Sequence, residues 1–303
     1  MDTRGGPSRD DNRNLIIAMV LAMVVLLGWD LFYARPQRER IEAERAQSAQ
    51  QQAAAVEAGE TAAAPPAVVS REEALASTNG ARIAIDTPEL NGSIRLEGAR
   101  LDDLSLKRFR QAVDPDSPEV ALLSPRGARG GYDAFFGWQA RERDSQTEVT
   151  DSFTPWTAPD GATLTPATPV TLTFESPDGL RFERTISVDE NFMFTTVDTV
   201  TNSGAAARDL RPYGVVRRQD MPLDYVANAI VHQGMTGVFG PERHLREVKY
   251  DDARKHARDK ERGRAGQDER IVEMTGQGGW LGISDHYWLT ALIPAQNEEM
   301  TGF

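Results

Sequence analysis

Cysteine is absent from the 303 residues, which removes disulfide staples, thiolate metal sites, a cysteine nucleophile and an acylated lipoprotein cysteine together. Histidine is scarce: His232, His244, His256 and His286 are the four, and no two stand at metal-ligand spacing on a helix. Neither a zinc-protease motif nor a calcium loop can be written, so no metal is expected. Glycine-rich phosphate loops and a serine in a nucleophile elbow are missing as well. Positive charge is short: 34 Lys and Arg face 46 Asp and Glu, a net charge of −12. That balance argues against a nucleic-acid partner, which needs a basic face to replace counterions on phosphate.

Long apolar runs are limited to one, and it is placed near the N-terminus. Leu15 to Leu27 is apolar throughout, and Gly28 to Ala34 extends it with Asp30 as the single charge. As a helix, Leu15–Ala34 spans ~30 Å, the thickness of a bilayer's hydrocarbon core. Leu15, Ile16, Leu21 and Leu26 would face lipid, with Trp29 and Tyr33 at the headgroup level. A cleavable signal peptide fits less well, because cutting after Ala34 puts Phe32 where a small residue is needed. The segment therefore reads as an uncleaved anchor. Its direction stays open on charge alone, since Arg4, Arg9 and Arg13 precede it while Arg35, Arg38, Arg40 and Arg45 follow.

Residues 35–78 are rich in Gln, Glu, Ala and Arg without an apolar stripe, so they read as a solvated linker. From residue 79 onward short β-type runs alternate with Gly, Pro, Asn and Asp, which predicts one mainly β domain over 79–303. Val170–Ser176 and Leu180–Val188 flank Pro177-Asp178-Gly179 and predict a hairpin. Phe192–Asn202 and Leu210–Arg217 are expected to complete a four-stranded meander. Further strands are expected at Arg82–Asp86, Ser93–Leu96, Leu101–Phe109, Gly234–Phe239, Ile271–Thr275 and Trp288–Pro294. The pairs Asp102/Asp103 and Asp251/Asp252 read as solvated turns rather than catalytic acids, and Asn91-Gly92-Ser93 reads as a turn.

One local charge anomaly remains. Arg254, Lys255, Arg258, Lys260, Arg262 and Arg264 stand within eleven residues against Asp259 and Glu261. The plain reading is a solvated loop or short helix; the functional one is contact with lipid headgroups or an acidic partner surface.

Four stretches carry a family resemblance, in this order: Asn12–Ile16 leading into the apolar run; Thr87–Ile94 with Gly98–Leu104; Phe182–Phe194; and Gly278–Pro294. The last contains Gly278, Gly279, Trp280, Asp285, Tyr287 and Trp288. Together they resemble the YidC family of bacterial membrane protein insertases, from the first transmembrane segment through the large periplasmic domain. Ser284-Asp285-His286 departs from the Thr-Asp-Lys expected at that point. The resemblance implies a β-supersandwich of the galactose-mutarotase-like kind, a cytoplasmic N-terminus over residues 1–14, and a periplasmic face for everything after residue 34. It implies no covalent chemistry and no cofactor. It also implies, as partners, the lipid bilayer, client inner-membrane proteins, and the Sec translocon with its accessory subunits. The family continues into five further transmembrane helices whose groove receives clients, so the chain is expected to correspond to an N-terminal portion, and no groove residue can be placed on it. The alternative from residues alone is a membrane-anchored carbohydrate-binding or mutarotase-like domain.

Overall fold

The computed structural model describes residues 69–78, 82–141, 147–222, 224–226, 230–240, 244–261 and 274–302. The expected anchor at Leu15–Ala34 and most of the linker lie outside them, and among the described residues no helix is long and apolar enough to cross a membrane.

The body is mainly β, as expected. Helix α1 (Arg71–Ala76) precedes β1 (Arg82–Asp86), β2 (Leu90–Arg95), β3 (Arg100–Arg110), β4 (Glu119–Leu123), β5 (Tyr132–Ala140) and β6 (Thr163–Leu164). With β10 (Leu210–Arg218) these strands form a seven-stranded sheet in the order β10-β5-β3-β2-β1-β6, with β4 paired to β3. A second sheet is the meander β7 (Val170–Glu175), β8 (Leu180–Val188) and β9 (Phe194–Asn202). On β8 the residues Leu180, Phe182, Arg184, Ile186 and Val188 are buried in strict alternation, the period-two pattern of a strand with one covered face. Ile83, Ile94, Leu104 and Leu106 of the first sheet join Leu172, Leu180, Phe182 and Ile186 of the second in one apolar cluster. The two sheets thus share a core, as in a β-sandwich, each fully buried side chain contributing ~1.5–3 kcal/mol.

The remaining strands form smaller sheets. β11 (Gly234–Phe239), β12 (His244–Lys249), β14 (Gly279–Ser284) and β15 (Leu289–Leu292) are ordered β12-β11-β14-β15, and β13 (Met274–Gln277) pairs with β16 (Glu299–Gly302). Helix α2 (Tyr250–Glu261) follows β12 directly.

Several expectations need correction. The hairpin at Pro177–Gly179 forms, but Leu210–Arg217 does not complete the meander; it crosses to the other sheet and pairs with β5 over nine residues, Leu210 with Ala140 through Arg218 with Tyr132. Asn91-Gly92-Ser93 lies inside β2 rather than in a turn. Gly92 has φ +152°, and a Cβ there would come within 2.1 Å of the Asp103 carbonyl oxygen. Glycine is needed for close approach of two strands.

Asp102 and Asp103 are not solvated but buried on β3. A register shift between Ser93 and Ile94 on β2 leaves Asp102 unpaired in the ladder, a β-bulge that lets both carboxylates face the charged side of the sheet. Arg82 binds Asp102, while Arg71 and Ser93 bind Asp103. Burial raises the Asp102 pKa, against the pull of Arg82 and Arg100. Residues 69–78, the end of the expected linker, are seated on the body by Arg71 and by a backbone bridge from Val69 to Ala128. Ser70 and Glu73 cap α1 reciprocally.

Candidate docking site at the α2 junction

The basic run singled out in the sequence is largely helical. Arg254, Lys255 and Arg258 are exposed on α2, Lys260 is on the same helix, and Arg262 and Arg264 lie outside the described residues. Helix α2 opens with Asp251 and Asp252 in its first turn, where carboxylates complement the exposed N–H groups and the positive end of the helix dipole. Both acids are therefore helix-terminal groups. Tyr225 donates its hydroxyl to Asp251 at 2.6 Å and meets the Tyr250 ring edge-on, centroids 6.1 Å apart.

The helix is joined to the body through Tyr250, whose backbone N–H donates to the Gln233 carbonyl at 3.2 Å. Its buried hydroxyl donates to Asp285 Oδ1 at 2.5 Å. The other oxygen of Asp285 accepts from Arg218. The Arg218 guanidinium lies 4.2 Å from the centroid of the Tyr132 ring, and Tyr132 donates its hydroxyl to the Ile283 carbonyl at 3.2 Å. Burial raises the Tyr132 pKa well above the usual phenol range and pushes Tyr250 up to about 12, against the opposing charge of Arg218. Both phenols are held neutral and serve as donors.

Four elements meet here: β5 gives Tyr132, β10 Arg218, α2 Tyr250, and the turn after β14 Asp285. Asp285 is fixed by that turn, since its N–H donates to the Trp288 carbonyl at 2.7 Å. Tyr287 sits at the tip of the turn with φ +78° and is 76% exposed. Trp288 packs edge-on against Phe109, ring centroids 4.7 Å apart. Gly278 precedes β14 and Gly279 opens it, with φ of +67° and +110°. A Cβ on Gly279 would come within 2.0 Å of the Val238 carbonyl oxygen. Trp280 is half-buried on β14, opposite Val238.

The motif Gly278–Trp288 and the basic helix, read separately in the sequence, are thus brought together by Asp285 and Tyr250. Between them is a cleft of about 490 Å³, lined in part by Met221, Met235, Ile283, Arg254 and Ala257. Arg218 belongs to no motif in the sequence. Its only sequence signal is the tandem Arg217-Arg218 at the end of an apolar strand, which equally fits a solvated strand end. Tyr132 and Tyr250 gave no signal beyond being aromatic. The arrangement can hold a helix rigidly against the body and present exposed cations to an acidic surface.

Comparison with known proteins bears on the same region. The family model described as the YidC periplasmic domain matches residues 82–303, from β1 to the C-terminal residue. The chain belongs to the YidC family. It is similar to the membrane protein insertase YidC of Caulobacter vibrioides, 40% identical over 295 residues, covering 96% of this chain and 46% of the relative. Against the YidC of Rhizobium meliloti it is 40% identical over 297 residues, covering 95% and 47%. For the YidC of Caulobacter sp. the figures are 41% over 303 residues, 97% and 47%. The chain spans about half the length of the curated YidC relatives it matches.

Proposed function

We propose that this chain acts in the insertion of inner-membrane proteins, with residues 15–34 as its membrane anchor, 1–14 in the cytoplasm and the body over 79–303 in the periplasm. The observation that carries the proposal is the match of residues 82–303 to the YidC periplasmic domain, together with insertase-named relatives that align with 95% or more of the chain. The work is transfer of apolar segments from water to lipid, favoured by ~25 cal/mol per Å² of apolar surface removed from water. The β body contributes a rigid docking surface beside that transfer. The exposed cations Arg254, Lys255 and Arg258 on α2 support a partner face there for an acidic surface. Accessory subunits of the Sec translocon are the partner proposed. The residues Gly278, Gly279, Trp280, Asp285, Tyr287 and Trp288 then hold that face in shape rather than touch a client.

A photo-crosslinking residue at His256, between these cations, tests the reading in membranes that contain the Sec subunits. Adducts to a Sec subunit are expected, and they should be lost when Arg254, Lys255 and Arg258 are all changed to Glu. Adducts of equal yield in the charge-reversed chain would refute the docking face.

A further inference from the structure

A strand at a sheet edge presents unpaired backbone N–H and C=O groups, and natural proteins guard such edges with charge, proline, brevity or cover. The edges among the described residues follow that rule with one exception. β6 has two residues, and β13, β15 and β16 have four each. β12 carries His244, Arg246, Glu247 and Lys249, β10 carries Pro212 with Arg211, Arg217 and Arg218, and β4 begins with Glu119. β7 is covered where Thr157 and Thr173 exchange two backbone hydrogen bonds of 2.9 Å.

Among the described residues β9 has no proline, no cover and no outward charge, and its single inward charge is already neutralised by Arg184. All nine of its residues pair with β8 on one side, and no other backbone hydrogen bond reaches Thr195–Thr201 among the described residues. Its one charge, Asp198, is turned inward, where it accepts from Arg184 Nε at 2.8 Å, Arg184 Nη2 at 2.7 Å and Trp138 Nε1 at 2.8 Å. The outward residues Thr195, Val197, Thr199 and Thr201 are exposed and uncharged. Apolar surface continues along the same edge: Val197 is 58% exposed, and Phe192 and Met193 just before the strand are 49% and 51% exposed.

We propose that the outer edge of β9 is a strand-addition site that takes one extended, uncharged segment of another polypeptide, rich in β-branched and apolar residues, as a transient fourth strand. Main-chain pairing supplies the affinity and alternate side chains the selectivity. An incoming strand would place every second residue beside Phe194 and Val200, which pack partly buried against the core.

Area and charge choose the occupant. Nine residues extend ~31 Å, and a strip one strand wide covers roughly 300 Å² on each partner, well below the ~1,200 Å² total of a stable complex. That is the size of a short-lived contact, not of a permanent dimer. A second copy would also bring another net −12 against the first, whereas an uncharged segment meets no such repulsion. The site is remote in sequence from the α2 face, and its test does not depend on the insertase reading.

The test uses the 303-residue chain in detergent micelles and a capped nonapeptide of alternating Thr and Val with a Gly-Ser tail. Amide hydrogen exchange across Phe194–Asn202 is expected to slow at least about threefold on peptide addition, with no change in β7, β12 or β15. Val197→Lys, at an exposed position, should retain the parent's melting temperature and bind about fivefold more weakly. Thr171→Lys on β7 should bind as the parent does, and a peptide with Asp in place of Val should leave exchange unchanged. Unaltered exchange of β9 at millimolar peptide would overturn the proposal, as would equal binding by Val197→Lys. A parent dimer in sedimentation that Val197→Lys dissolves would overturn it too, by giving the edge to a second copy.

Discussion

Changing Asp285 to Ala removes the group that joins β10, the motif turn and helix α2. The side chains of Arg218 and Asp285 are 10% and 9% exposed, so the variant leaves a guanidinium largely out of water and without an ion-pair partner among the described residues. Arg218 Nε already lacks a partner among the described residues, and the buried Tyr250 hydroxyl loses its acceptor. Breaking a buried ion pair from one side costs ~3–5 kcal/mol, because the remaining charge stays desolvated. For a body of this size that lowers Tm by roughly 10 °C. Urea unfolding followed by tryptophan fluorescence, with calorimetry, reads the loss. The double variant Arg218→Met with Asp285→Leu separates charge burial from packing. It should recover most of the stability, leaving the orphaned Tyr250 hydroxyl at ~1–3 kcal/mol. Hydrogen exchange should show α2 opening in Asp285→Ala while β8 stays protected. A loss below about 1 kcal/mol in the single variant, or a double variant as unstable as the single one, would refute the idea that this pair is a desolvated joint.

Four other substitutions follow from the geometry. Gly92→Ala puts a Cβ against the Asp103 carbonyl oxygen at a positive φ and should cost more than ~2 kcal/mol in chemical denaturation. Asp198→Ala strands Arg184, which is 0% exposed, and should cost ~3–5 kcal/mol, whereas Arg181→Ala at the exposed Glu175 and Glu183 contacts should change stability by less than ~1 kcal/mol. Tyr250 has a folded pKa of about 12, above the ordinary phenol value near 10. Its contribution is therefore complete below pH ~10 and lost as pH rises toward 12. Tyr250→Phe should flatten that part of the alkaline limb of the stability curve, and an unchanged limb would count against it.

The parts legible in the sequence are those where local pattern and tertiary role agree. The β7–β8 hairpin is one, because alternation and an Asp-Gly turn both act within a few residues. The motif ending in Asp285-His286-Tyr287-Trp288 was recognisable as a string, but its structural task was not, since Arg218 and Tyr250 reach Asp285 from distant positions. Arg184 and Asp198 show the general difficulty. A charge in a strand reads as solvent-facing, and only the partner strand reveals that Arg184 points into the core and is neutralised there. Asp102 and Asp103 read as solvated for the same reason, compounded by a bulge that local spacing cannot show. The register of β10 depends on β5, an aromatic strand with the sequence Tyr-Asp-Ala-Phe-Phe-Gly-Trp-Gln-Ala, and no local signal connects the two.

That crossing of β10 to β5 also sets an order of assembly. β7, β8 and β9 are joined by short turns and close on themselves quickly, while β5 must wait for a mate about seventy residues downstream, from Ala140 to Leu210. Loop closure of that span slows folding. During synthesis β5 stands with its aromatic side chains and one backbone edge uncovered until Arg218 has emerged. The seven-stranded sheet is thus late-closing, vulnerable to mispairing over the interval in which its last strand, β10, is still being delivered.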